Sequence, residues 1–396
     1  MKDLFKNITV LSLEQATVLP YMTYRLAQDG VKVIRLEHPV YGDPNRLVGH
    51  NVVGDERMRA YYLCINSGKK ALTLNLGVPE GQEIFQALIK KLNVDIFTTN
   101  QLPKNYKKLG VDYETLKTLK PDIIWLGATG FGPDSNEPAY DPILQARSGL
   151  MDLTGEKESF PQVVGIPLPD MGTSEHGYGL LMRALFKRAM TGEGSCIHLS
   201  MFESSCSWLT VPITLTALGR VITRRGNTHE FFAPLSVYKT RNGYVYVAVG
   251  NNRQWKSMVS LERFKSLDKP EYENNEGRIA DVKNLNHAMD EITQTCTSDE
   301  LIDLFNSITV PISKINSIPE VMEDPLVKRR LLSAVDPISG VRIRMPPPPN
   351  MTSFLEESNR EMPFPPRFGE HNKEIYGGVL EYSDEKLGRL KEKEII

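Results

Sequence analysis

The stretch ITVLSLEQATVLPYMTYRLAQDGVKVIRLE, residues 8–37, decides the fold. ITVLSL (8–13) is a short apolar, β-branched run and reads as a strand. YMTYRLAQDG (21–30) has helical period and stops on Gly30. VKVIRLE (31–37) is the next strand. Two strands with a helix between them at this spacing predict parallel pairing with a crossover helix. The pattern then repeats. ALTLNL (71–76) precedes a helix at 79–92 that begins with Pro79. VDIFTTN (94–100) and DIIWLGATG (122–130) are further strands. The expected class is α/β with a doubly wound parallel sheet. No G-x-G-x-x-G follows the first strand, so a dinucleotide fingerprint is absent and neither a nicotinamide nor a flavin cofactor is expected.

Composition narrows the functions. Lys and Arg number 47 against 49 Asp and Glu. That balance leaves no basic field to hold nucleic acid or an anionic membrane. No run of about 18 apolar residues predicts a membrane span, and MKDLFKNITV does not read as a signal peptide. Cys64, Cys196, Cys206 and Cys296 form no C-x-x-C pair and read as buried, reduced thiols of a cytoplasmic protein. The seven histidines show no metal spacing, so no metal is expected.

The second half changes character. MGTSEHGYGLLMRALFKRAM (171–190) is a helix, CIHLSMF (196–202) a strand, and an apolar helix runs on to about 219. LSVYKTRNGYVYVAVG (235–250) reads as a hairpin around Asn242-Gly243. MPPPPN (345–350) is an extended connector. Ser383 is an expected helix N-cap. The expected organisation is a large domain of residues 1–200 and 326–396, a linker at 201–224, and a small α+β domain at 225–325.

Seven segments, in order along almost the whole chain, resemble the class III coenzyme A transferases. They are LAQDGVKVIRLEHPVYGDPNR (26–46), NSGKKALTLNL (66–76), GATGFGPDSNEPAYDPILQARSGLMDLTG (127–155), LPDMGTSEHG (168–177), GNTHEFFAP (226–234), VAVGNNRQW (247–255) and FGEHNKEI (368–375). The resemblance implies a large Rossmann-like domain with a small one, and two chains threaded into an obligate interlocked dimer, as a homodimer or with a homologous chain. It implies acyl-CoA and a carboxylic acid as substrates, coenzyme A as the group carried, and Asp170 as the catalytic residue.

Read from the residues alone, Asp170 before a helix is first of all an N-cap, and the resemblance reverses that reading. The chemistry supplies the other reading: a fixed, partly desolvated carboxylate is a usable nucleophile towards a thioester carbonyl. The resemblance implies further positions. Ala16 and Thr17 fall on the turn lining the reacting end of coenzyme A, with a backbone N–H for the oxyanion. Tyr140 and Asp141 fall near the thioester. His38, Lys69, Lys70, Lys108 and Leu109 fall on coenzyme A contacts. His38 stands where formyl-CoA transferase has an arginine, and Thr17 where it has a glutamine. Arg46, Arg147 and Arg225 are candidates to hold a second carboxylate. The expected reaction is CoA transfer from an acyl-CoA such as succinyl-CoA to an acid such as the dicarboxylate benzylsuccinate, through aspartyl anhydride and aspartyl-CoA thioester intermediates.

The alternatives are an acyl-CoA racemase and one subunit of a heteromeric transferase. The racemases carry a histidine in a GHD segment. This chain reads AYD (139–141), with the phenol of Tyr140 in its place, a poor base at neutral pH.

Overall fold

The computed structural model describes residues 4–396. Six strands form one parallel sheet: β1 (Thr9–Leu13), β2 (Lys32–Glu37), β3 (Lys69–Thr73), β4 (Ile96–Thr99), β5 (Ile124–Thr129) and β6 (Ser195–Ser200), in the order β3-β2-β1-β4-β5-β6. The helices that matter below are α1 (Val18–Gln28), α2 (Pro79–Lys91), α3 (Asp141–Arg147), α4 (Leu168–Thr191), α5 (Met201–Ser207) and α6 (Thr210–Ala217). The central strands β1, β4 and β5 are buried along their whole length because helices cover both faces. Leu11, Ile34, Phe97 and Trp125 pack with Phe85 and Leu88 of α2 on one side. Val10, Val33, Ile96 and Leu126 pack with Leu19 and Met22 of α1 and Leu181 of α4 on the other. The strand order reverses between β1 and β4, which places a crevice at their carboxyl ends.

Two compact units account for the chain. The first comprises Met1–Ser148, Val164–Thr214 and Pro325–Ile396; the second comprises Gly149–Val163 and Leu215–Asp324. Residues 201–214, read from sequence as the start of a linker, pack in the first unit. The short run 149–163 goes with the second.

The second unit holds an antiparallel three-stranded sheet, β7 (Leu235–Thr240), β8 (Gly243–Ala248) and β9 (Ile312–Lys314). Its core is built from Tyr238, Val245, Val247, Trp255, Phe264 and Phe305. The hairpin turns one residue earlier than the Asn-Gly signal suggests. Thr240 lies opposite Gly243, so Arg241 and Asn242 form the loop. Asn242 is instead drawn towards Ser298, whose N–H donates to its Oδ1 at 2.8 Å.

β3 is an edge strand, and its free side is covered by the C-terminal segment. The N–H of Ala71 donates to His371 Nδ1, and that of Thr73 to Asn372 Oδ1 at 3.0 Å. The FGEHN motif therefore has a structural reason, since an uncovered edge is a template for unwanted pairing. Ser383 caps the last helix, as its side chain accepts from Lys386 N–H. The four cysteines are free. Cys296 alone is buried; Cys64 and Cys196 are exposed, contrary to the sequence expectation. No described helix is long and apolar enough to cross a membrane, and no described cluster of His, Cys, Asp and Glu is arranged to hold a metal.

Candidate active site

Asp170 lies in the first turn of α4 and does not cap it. The N-cap position is Pro167, with no side-chain cap bond. Pro169 suits the first turn, where an N–H has no intrahelical acceptor. The carboxylate of Asp170 accepts no hydrogen bond from any described residue, although the side chain is largely withdrawn from water. Its backbone N–H is held, donating to Asp141 Oδ2 at 3.0 Å. Burial pushes the Asp170 carboxyl up to about 7, with the neighbouring Asp141 charge adding to the rise.

Asp141 opens α3 and is 7% exposed. Its Oδ1 accepts from Gln145 Nε2 at 2.6 Å. Gln145 Oε1 in turn accepts from Val164 N–H at 2.8 Å, in the segment leading to α4. Burial raises Asp141 above the usual carboxylate range, against the two donors that stabilise its charge. Gln145 therefore fixes Asp141, and Asp141 fixes the peptide of Asp170. Tyr140 is 75% exposed and its hydroxyl has no partner among the described residues.

A second support comes from α1. Ser174 Oγ lies in hydrogen-bond reach of both Val18 O and Asp170 O. The β1–α1 turn is thereby one side chain away from the first turn of α4. In that turn Ala16 takes a left-handed conformation at φ 61°. Its N–H donates to Asp43 Oδ1 at 3.0 Å. The oxyanion donor expected from Ala16 is therefore already engaged, and the free amides of the turn begin at Thr17, where α1 starts and the first N–H groups lack intrahelical acceptors. Thr17 Oγ1 lies 3.2 Å from Tyr61 OH.

The remaining expectations divide. Lys69 is fully buried in its side chain and donates to Glu14 Oε1, Pro20 O and Asn66 Oδ1. Burial lowers it to about 8. All three N–H donors are used within the fold, which leaves none for a phosphate. Lys70 pairs with Glu374 beside the β3 edge. Lys108 is exposed and pairs with no described carboxylate. Leu109 is half-buried against the α2 face of the core. His38 follows β2; burial holds it below the ordinary histidine range, and its Nδ1 accepts from Val40 N–H. Beside it, at the carboxyl ends of β2 and β3, is a cavity of about 760 Å³ lined by Pro39, Val40, Thr73, Arg57 and Lys373 among others.

The three arginines are engaged elsewhere. Arg46 is buried and paired with Glu37, Tyr62 and Pro366 O. Arg147 pairs with Glu137 and lies 4.1 Å from the centre of the Phe131 ring. Arg225 pairs with Glu230. The sequence reading also missed a buried charge cluster. Glu14, Glu37 and Asp43 face Arg35, Arg46 and Lys69 behind the β1–α1 turn, all with fully or almost fully buried side chains. Charged residues in a polar-looking stretch such as EHPVYGDPNR read as surface by default.

Residues 5–372 match the family described as CoA-transferase family III. The human succinyl-CoA:glutarate CoA-transferase is 29% identical over 97% of this chain and 88% of its own length. The succinyl-CoA:mesaconate CoA-transferase of Haloarcula marismortui is 29% identical over 90% of this chain and 94% of its own. A crystal structure of a CAIB/BAIF family protein from Brucella suis superposes with a TM-score of 0.81 at 28% identity, covering 95% of this chain and 99% of that one.

Proposed function

The chain belongs to CoA-transferase family III, and from that premise we propose that it moves coenzyme A from succinyl-CoA to a dicarboxylic acid, with Asp170 as the covalent nucleophile. The observation that carries this is the Asp170 carboxylate: largely buried, raised to about 7, and accepting from no described residue a hydrogen bond that would blunt it. A cap would be hydrogen-bonded to the helix; this carboxylate is not.

The Asp170 carboxylate attacks the thioester carbon, and the C–S bond breaks to give a mixed anhydride and the CoA thiolate. The thiolate attacks the aspartyl carbon, which releases the donor acid and leaves an aspartyl-CoA thioester. The acceptor carboxylate attacks that thioester and frees the thiolate again. The thiolate then attacks the acceptor's acyl carbon, which releases the new acyl-CoA and restores Asp170. Every nucleophile is an anion, so no external base is required. Each tetrahedral oxyanion needs a donor, and the unpaired amide of Thr17 is the candidate on the β1–α1 turn. His38, Lys70, Lys108 and Leu109 are proposed to lie along the nucleotide end of coenzyme A.

The names of two relatives support the substrate class, since both pair succinyl-CoA with a dicarboxylate. The dimer is proposed as well. Phe186 and Met190 of α4, and Val211 and Ile213 of α6, are exposed large apolar side chains that a second chain would cover.

The test is an incubation of wild type and Asp170→Ala with succinyl-CoA and a panel of mono- and dicarboxylates, followed by mass spectrometry of the acyl-CoA products. Transfer to dicarboxylates that vanishes in the variant supports the reading. Transfer that survives in Asp170→Ala removes Asp170 from the chemistry, and acceptance of monocarboxylates alone removes the substrate assignment.

A further inference from the structure

Resting on the transferase reading, we propose that Asp43 and Asn45 are positioning residues that clasp the Ala16 peptide and so hold the β1–α1 turn against Asp170. Ala16 is gripped on both edges. Asp43 Oδ1 accepts its N–H at 3.0 Å, and Asn45 Nδ2 donates to its C=O at 2.7 Å. The left-handed conformation of a non-glycine residue is disfavoured by the clash of its Cβ with the following carbonyl oxygen, and it persists where the surroundings over-determine it.

The clasp is itself anchored. Asp43 is 1% exposed. Its Oδ2 accepts from Arg35 Nη2 at 2.7 Å, and its own N–H donates to Glu37 Oε1. Its Oδ1 also accepts Asn45 N–H at 2.9 Å, so the two arms of the clasp are fixed to each other. Pro44 between them sets the turn. Across β1, Asn100 ties the preceding residue: its Oδ1 accepts Gln15 N–H and its Nδ2 donates to Gln15 O at 2.8 Å.

The grip reaches the nucleophile in two steps. Two residues after Ala16, Val18 O meets Ser174 Oγ, and the same hydroxyl reaches Asp170 O. If the turn relaxed, the Thr17 amide and the first turn of α4 would shift relative to one another. A displacement of about 1 Å at a reacting centre lowers rates by roughly a hundredfold.

Asn45→Ala removes one arm and leaves the buried charges intact; Asp43→Asn removes the charge at the other arm. Each is compared with wild type in CoA transfer, in folded fraction by circular dichroism, and in hydrogen exchange of the Ala16 amide. The expected result is a kcat lowered by about tenfold or more, a smaller change in KM for acyl-CoA, and faster exchange at Ala16. Adding Ala16→Gly to Asn45→Ala restores part of kcat, because glycine adopts positive φ without the steric penalty. A merely structural Asn45 would lose activity only in step with its folded fraction and gain nothing from the glycine. That pattern, or wild-type kcat with wild-type exchange, overturns the proposal. If wild type transfers no CoA at all, the transferase reading fails instead. The exchange measurement then stands alone: unchanged protection at Ala16 overturns the clasp, and lost protection upholds it.

Discussion

The backbone N–H of Asp170 donates to the carboxylate of Asp141 at 3.0 Å, so one acid is held in place by another. The arrangement fixes the peptide of Asp170 while leaving its carboxylate free. It also sets a negative charge close to a carboxyl that is already desolvated.

The pH dependence follows from that pair. Asp170 is raised to about 7, chiefly by burial. On the proposed reading, it is protonated below that pH and cannot attack. The kcat/KM for acyl-CoA is expected to rise with pH through about 7 and to fall about tenfold per unit below it. Asp141→Asn removes the neighbouring charge and should move this limb to lower pH. A pH–rate profile of the free enzyme for both proteins checks it; a limb that stays in place in Asp141→Asn would separate the two groups.

The same shift bears on stability. A carboxyl whose folded pKa lies above its unfolded value favours the protonated fold, so its ionisation weakens the native state as pH rises from about 4 through about 7. Asp170→Asn cannot ionise and escapes this loss. It should be inactive as made yet more stable than wild type at pH 8, by on the order of 2 kcal/mol, with the difference closing towards pH 4. Thermal melts at the two pH values decide the matter.

Gln145 bridges Asp141 and the segment before α4. Gln145→Leu keeps most of the buried volume but leaves Asp141 Oδ1 and Val164 N–H without partners. The expected outcome is a loss of about 1–3 kcal/mol in stability together with a lower kcat. Denaturant unfolding and steady-state kinetics measure the two effects.

Gly172 has no room for a side chain. A Cβ there would stand 1.9 Å from Cη2 of Trp208, whose indole covers the α4 backbone two residues after Asp170. Gly172→Ala should destabilise the protein by about 1–3 kcal/mol, and Trp208→Leu should relieve most of that in the double variant. Chemical unfolding of the single and double variants tests the coupling.

His371 accepts from Ala71 N–H, a role open only to the neutral ring. Burial lowers its pKa. Its contribution to stability is complete above the ordinary histidine value near 6.5 and is lost as pH falls through its lower folded value. His371→Ala should therefore lower the melting temperature at pH 8, while mattering less at pH 5.

Much of the sheet was legible because its strands are apolar runs separated by helical periods. Thr9–Leu13, Lys32–Glu37 and Ile124–Thr129 lie where those runs predict. β3 starts earlier than ALTLNL suggests because Lys69 and Lys70 belong to it, and lysine is a poor strand signal. The candidate site was legible in part. Asp170 and Asp141 come together as a pair, although neither pattern nor period says that the peptide of one binds the carboxylate of the other. Asp43 and Asn45 escaped notice because Ala16, which they hold, lies 27 and 29 residues away, and Arg35 because its type usually faces water. Lys69 misled for the same reason in reverse, since its charge is spent on Glu14 inside the fold.

The cover on β3 arrives late in the life of the chain. Ala71 is synthesised early, and the His371 ring that closes its edge follows 300 residues later. At about 5–20 residues per second the ribosome needs roughly 15–60 s to supply it. Throughout that interval the nascent sheet presents an open strand, and the second unit, encoded between the two, can fold first. A chain that stalls after residue 324 but before residue 371 would thus carry a finished small unit together with a sheet still able to recruit a foreign strand.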